Sequence, residues 1–145
     1  TTIEGVSVGA GISQNSAAKS GGSGTDTEEW VVQAVYSAGP VSLGYRMAET
    51  SGGAAGTATN DITGYSIAFN VNENFSVSYG DLTETYDAQD MGTIADVDMT
   101  SKSIQFAYTM GSMSIKGYQT DTDNPGWDSD ASSDEVTELA VNFAF

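Results

Sequence analysis

Arg46 and Lys116 are the two cations of this chain placed where a charge has work to do. Lys and Arg number 4 against 20 Asp and Glu, giving a net charge of −16. Arg46 shares the polar parity of an alternating run with Ser42, Gly44 and Ala48, and Lys116 shares one with Ser114 and Tyr118. Asn70, Gln105 and Glu138 hold the same parity in their own runs. Cations on a polar wall, opposed by carboxylates, set up a transverse field that sorts charged solutes; the plainer role is to neutralise wall carboxylates. A second candidate is Asp121-Thr122-Asp123-Asn124-Pro125-Gly126-Trp127-Asp128-Ser129-Asp130. Its carboxylates at Asp121, Asp123, Asp128 and Asp130 have the oxygen density that a hard cation such as calcium takes. It departs from an EF-hand loop, with Pro125 at a ligand position and Ser132 where the closing Glu belongs. Calcium is the one cofactor the sequence suggests.

Catalysis has little to work with. The chain contains no His and no Cys, so the commonest general base and the thiolate nucleophile are missing. Gly21-Gly22-Ser23-Gly24 lacks the Lys and following helix of a phosphate loop. The acidity argues against nucleic acid, whose phosphates call for Lys and Arg. No run approaches the ~20 apolar residues of a transmembrane helix. Transmembrane barrels escape that test, since their apolar residues occupy alternate positions. The start at Thr1-Thr2 reads as a processed chain or one cut from something longer.

Eight strands are predicted near residues 2–14, 28–37, 40–49, 60–71, 75–86, 97–110, 112–120 and 135–145. Gly, Asn, Asp and Ser punctuate them, as turns require. Short connections at 37–40, 72–74 and 110–112 alternate with long polar ones at about 15–27, 50–59, 87–96 and 121–134. Tight turns at one end and long loops at the other characterise up-and-down transmembrane barrels. Asp87, Asp90, Asp96, Asp98, Asp121, Asp123, Asp128 and Asp130 fall in or beside the long loops. They would crowd one mouth, attract cations and repel anions. Tyr36, Phe69, Phe75, Tyr108, Phe143 and Phe145 lie near the short turns or the C-terminus, as an interfacial aromatic girdle would.

Two runs fit the alternation poorly. The apolar parity of the fifth strand meets Asp81, and that of the seventh meets Gly117 and Gln119. Either a bulge near Gly80 restores it, or these positions meet a neighbouring subunit or lie above the apolar band; Lys102 would reach Asp81 diagonally across the strand pair. The opposite parity is small: Gly5, Ser7, Gly9 and Gly11, then Ser42, Gly44, Ser76, Ser78 and Gly80. A closed eight-stranded barrel is filled by side chains, and such small residues would leave it hollow. The lining therefore suits a wider, water-filled barrel of which these strands are one part.

The closing run Val136–Phe145, alternating to a terminal Phe, resembles the last strand of bacterial outer-membrane barrels. With the acidic, Gly-rich composition and Ser103-Ile104-Gln105-Phe106-Ala107-Tyr108, the chain resembles alphaproteobacterial general porins, in their C-terminal portion. The resemblance implies an all-β, antiparallel, up-and-down transmembrane barrel, with about eight strands here as part of sixteen. It further implies a homotrimer in the bacterial outer membrane, passing small hydrophilic solutes and ions without catalysis; the loop acids add a mild cation preference. Residues 1–145 would form a single barrel domain or its C-terminal half. Two rivals stand beside this reading. One is a complete eight-stranded barrel with a structural or adhesive role. The other is a soluble, calcium-dependent β-sandwich surface module.

Overall fold

Three two-residue turns set the geometry of the sheet. Paired residues Ala38 and Val41 enclose Gly39-Pro40, and Met110 and Met113 enclose Gly111-Ser112. The glycines sit at φ 56° and 59°, at the first central position, which is the type II′ arrangement that matches strand twist. Asn72 and Phe75 enclose Glu73-Asn74, where the Asn74 N–H donates to Asn72 Oδ1 at 2.9 Å.

The computed structural model describes residues 4–16, 26–52, 59–87 and 95–144. It contains eight strands: β1 (Val6–Ser16), β2 (Asp26–Ala38), β3 (Val41–Gly52), β4 (Thr59–Asn72), β5 (Phe75–Asp87), β6 (Val97–Met110), β7 (Met113–Asp123) and β8 (Asp134–Phe143). They form one antiparallel sheet in the order β1 to β8. The three short turns lie at one end and the long connections at the other. A single 3-10 turn, Pro125–Trp127, stands where the sequence suggested only loop.

β1 and β8 are not paired to each other, so the eight strands do not close on themselves. Nor do they divide into two packed sheets, which removes the sandwich as a description of this fold. Registers run unbroken through Gly80, so the expected bulge there is absent; the irregularity lies at Asn70/Asn72. Lys102 pairs directly with Asp81 rather than diagonally.

One row of register partners crosses the whole sheet: Val8, Ala34, Tyr45, Tyr65, Asp81, Lys102, Asp121, Glu135. Directly opposed residues share a face, so this row is apolar over its first half and charged over its second. The cause is a band of apolar residues that crosses the rows at a slant. On β1 the band reaches Ile12, four residues beyond the row toward the long connections; on β8 it stops at Leu139, four residues short of it. Its other margin shifts by six residues, from Val6 to Phe143. Over seven strand-to-strand steps, at ~3.3 Å per residue and ~4.8 Å per strand, the band is inclined to the rows by about 30–38°. Asp81 and Gln119 lie just outside it, which is why they broke the alternation.

Among the described residues nothing is packed over the band. Val8, Ile12, Ile104 and Leu139 are 60–75 % exposed, and Ala48 alone among the described apolar residues is buried. The surface totals 9886 Å², where a compact protein of 15.0 kDa exposes about 7,000 Å². Ring contacts knit the band laterally: Tyr45 stacks on Tyr65 at 5.9 Å, and Phe75 meets Tyr108 edge-on at 6.4 Å. The Phe106 ring covers Gly117, whose added Cβ would lie 2.5 Å from its Cε1. That glycine leaves room for an aromatic neighbour and is no break in the band.

Candidate functional site

Strand alternation gives the opposite face its character. Along β3 to β7 it carries Ser42, Gly44, Arg46, Ser66, Gly64, Ser78, Ser76, Gln105, Ser103, Lys116 and Ser114. Small side chains leave the few long ones standing proud. Asn70, Gln105, Lys116 and Glu138 line one shallow groove of about 460 Å³ across β4 to β8. Four of the five residues predicted to line a polar wall are thus brought together. Gln105, Tyr118 and Glu138 form one register row, and the Tyr118 hydroxyl donates to Glu138 Oε2 at 3.0 Å. Sequence reasoning placed Tyr118 on this face but missed the bond, because it depends on the β7–β8 register. Gln105 Nε2 lies 3.4 Å from the Ser103 hydroxyl to which it donates. Lys116 has alanines directly opposite on both sides, Ala107 and Ala140, and no carboxylate within ion-pair distance among the described residues.

Arg46 lies outside that groove, beside Gln33, Gly44, Gly64 and Leu82. Its row runs through Gly64, Leu82 and Ser101 to Thr122 of β7, six residues from Lys116. The slanted apolar band shifts three to five residues in the same direction between β3 and β7. Measured against the band, the two cations therefore differ by only about 3–10 Å of strand, although four strand-to-strand steps separate them.

The acids predicted at the long-connection end are found there. Asp98 accepts from the Thr85 hydroxyl at 2.7 Å and Asp123 from the Ser133 hydroxyl at 2.7 Å. Asp87 ends β5, Asp96 precedes β6, and Asp90 lies outside the described residues. On β4, beyond the apolar band, Asp61 faces Glu49 across the strand pair. Partial burial, then the charges of Glu49 and Asp87, hold the Asp61 carboxyl above its ordinary 3.8.

β7 runs on to Asp123, so Asp121 and Asp123 are strand residues, with Asp121 flanked in register by Lys102 and Glu135. Asp128 Oδ1 accepts from the Asp130 N–H at 3.0 Å within the following turn. Among the described residues no three carboxylates gather as a metal site. That turn carries a feature the sequence did not announce. Asn124 and Trp127 adopt φ 51° and 58°, and Trp127 packs against Tyr86 at 6.1 Å with its indole Nε1 buried and unpartnered.

Tyr36, Phe69, Phe75, Tyr108 and Phe143 all fall on the apolar face near the short turns; Phe145 lies outside the described residues. The chain matches no family model, no curated protein and no solved structure.

Proposed function

We propose that this sheet is part of the wall of an outer-membrane β-barrel of general-porin type, a passive pore for small hydrophilic solutes and ions. The observation that carries the reading is the slant of the apolar band. Strands of a transmembrane barrel tilt by about 35–45°, so a belt of constant depth must cross their register rows obliquely. The inclination of about 30–38° comes from registers and residue types alone, and a soluble sheet gives no reason for it. Lipid would cover the band, and the five aromatics at its short-turn margin would sit at the interface. Backbone groups of β1 and β8 left unpaired in hydrocarbon would be costly, so their free edges call for further strands, as in a sixteen-stranded barrel. The family resemblance adds the homotrimer and the bacterial outer membrane.

In this reading Arg46 and Lys116 stand at nearly one depth on the lumen wall, and the carboxylates of the long-connection end surround the outer mouth. The mouth concentrates cations, an effect that weakens as salt screens it. The test is reconstitution of the protein in planar bilayers under a KCl gradient. Stepwise conductance with a cation-favouring reversal potential at low salt is expected. Arg46→Ala and Lys116→Ala should each shift the potential further toward cations. Membrane-inserted protein that never conducts, or that prefers anions in low salt, overturns the reading.

A further inference from the structure

We infer that the groove around Lys116 and Glu138 is a binding station for small zwitterions of the α-amino acid type. The inference rests on the pore reading for its setting, and names a solute class for it. Lys116 pairs with Ala140 and Tyr118 with Glu138, so Lys116 and Glu138 are diagonal neighbours on one face. Such positions lie about 7–8 Å apart, within reach of two long side chains. Yet they form no ion pair among the described residues. The Tyr118 hydroxyl holds the Glu138 carboxylate instead, at 3.0 Å, and the alanines flanking Lys116 offer its ammonium no partner. A cation and an anion are thus held close but separate, at one open groove. A molecule with a carboxylate and an ammonium two bonds apart bridges that gap, each end making a charge-assisted hydrogen bond. Gln105 and Asn70 supply amides along the groove for its polar substituents. An anion alone would satisfy Lys116 and leave its own charge beside Glu138; a cation alone would face Lys116.

The protein in detergent micelles, followed by amide resonances of Ala107, Tyr118 and Ala140, tests this with alanine, acetate and methylammonium as probes. Saturable shifts with alanine are expected at concentrations at least tenfold below those needed for either half-charge. Lys116→Met and Glu138→Gln should each weaken alanine binding tenfold or more. The exchanged pair Lys116→Glu with Glu138→Lys keeps both charges and should recover most of it. Acetate binding as well as alanine overturns the inference in favour of an anion site. A dispersed wild-type spectrum that none of the probes moves overturns it outright. Conductance is measured separately, so a conducting protein without alanine shifts sinks the station alone, and alanine shifts without conductance sink the pore alone.

Discussion

The short-turn end and the long-connection end of this sheet obey the same alternation but put it to different use. Near the short turns, the two parities separate cleanly into apolar and small polar. Leu43, Ile67 and Val77 share one face, with Gly44, Ser66 and Ser78 on the other. Toward the long connections Glu49, Asp61, Asp98 and Asp123 occupy the parity that the apolar residues held, while the opposite face carries Val31, Ala48, Ile62 and Met99. The backbone ladder continues through both regions. What changes is the solvent each side chain is fitted to, and the boundary between them runs obliquely across the strands. On the proposed pore reading, that fixed slant corresponds to the plane of the bilayer.

The sharpest way to break this contrast is to place one charge in each region. Leu43→Arg puts a cation within the band, where the lipid reading assigns a loss of about 2–4 kcal/mol. Thr83→Arg, on the same face but beyond the band, should cost about 0–1 kcal/mol. Urea unfolding from lipid vesicles, read by tryptophan fluorescence, gives both numbers. Equal losses at the two positions would mean that the boundary is not a membrane boundary.

Much of this contrast was legible in the sequence. Alternation and the short connections with their turn-forming residues are local, and the strand limits agree with the structure to within about four residues. What lay beyond reach was register. Alternation left Asp81 open to a bulge, a subunit contact or a place above the apolar band, and the row through Tyr65 and Lys102 puts it at the band's margin. The bond from Tyr118 to Glu138, and the comparable depth of Arg46 and Lys116, likewise depend on which residue opposes which. The setting of the candidate calcium carboxylates depends on register in the same way. Spacing alone could not tell that Asp121 and Asp123 belong to β7, where flanking strands and not a loop set their neighbours.

A smaller effect is expected at Gly117, inside the apolar region. Its Cβ would meet Phe106 Cε1 at 2.5 Å, Cζ at 2.8 Å and the Glu138 carbonyl oxygen at 3.3 Å. Gly117→Val forces the ring aside and should cost about 1–3 kcal/mol, as overpacking does. Phe106→Leu combined with Gly117→Val should recover part of that loss, which a double-mutant cycle in the same vesicles would reveal. An additive cycle would mean that the ring does not cover the glycine.

The smallest effect sharpens the other region. Asp61 faces Glu49 across the pair and feels Asp87 as well, and like charges opposed across strands destabilise. Its carboxyl is held above 3.8 in the folded protein, so the fold binds this proton more tightly than the unfolded chain does. Linkage then fixes the sign. The contribution of this group to stability is fully present below the unfolded value and is lost as pH rises through the folded one. Asp61→Asn removes the charge, so it should be more stable than the wild type at pH 7, and that advantage should vanish below about 3.8. Because the site is largely exposed, added salt should shrink the gain at pH 7 by screening. Unfolding midpoints of the two proteins at both pH values and two salt concentrations check this. A gain that survived acidification would locate the benefit in the amide's hydrogen bonds and leave the repulsion between Asp61 and Glu49 without effect on the fold.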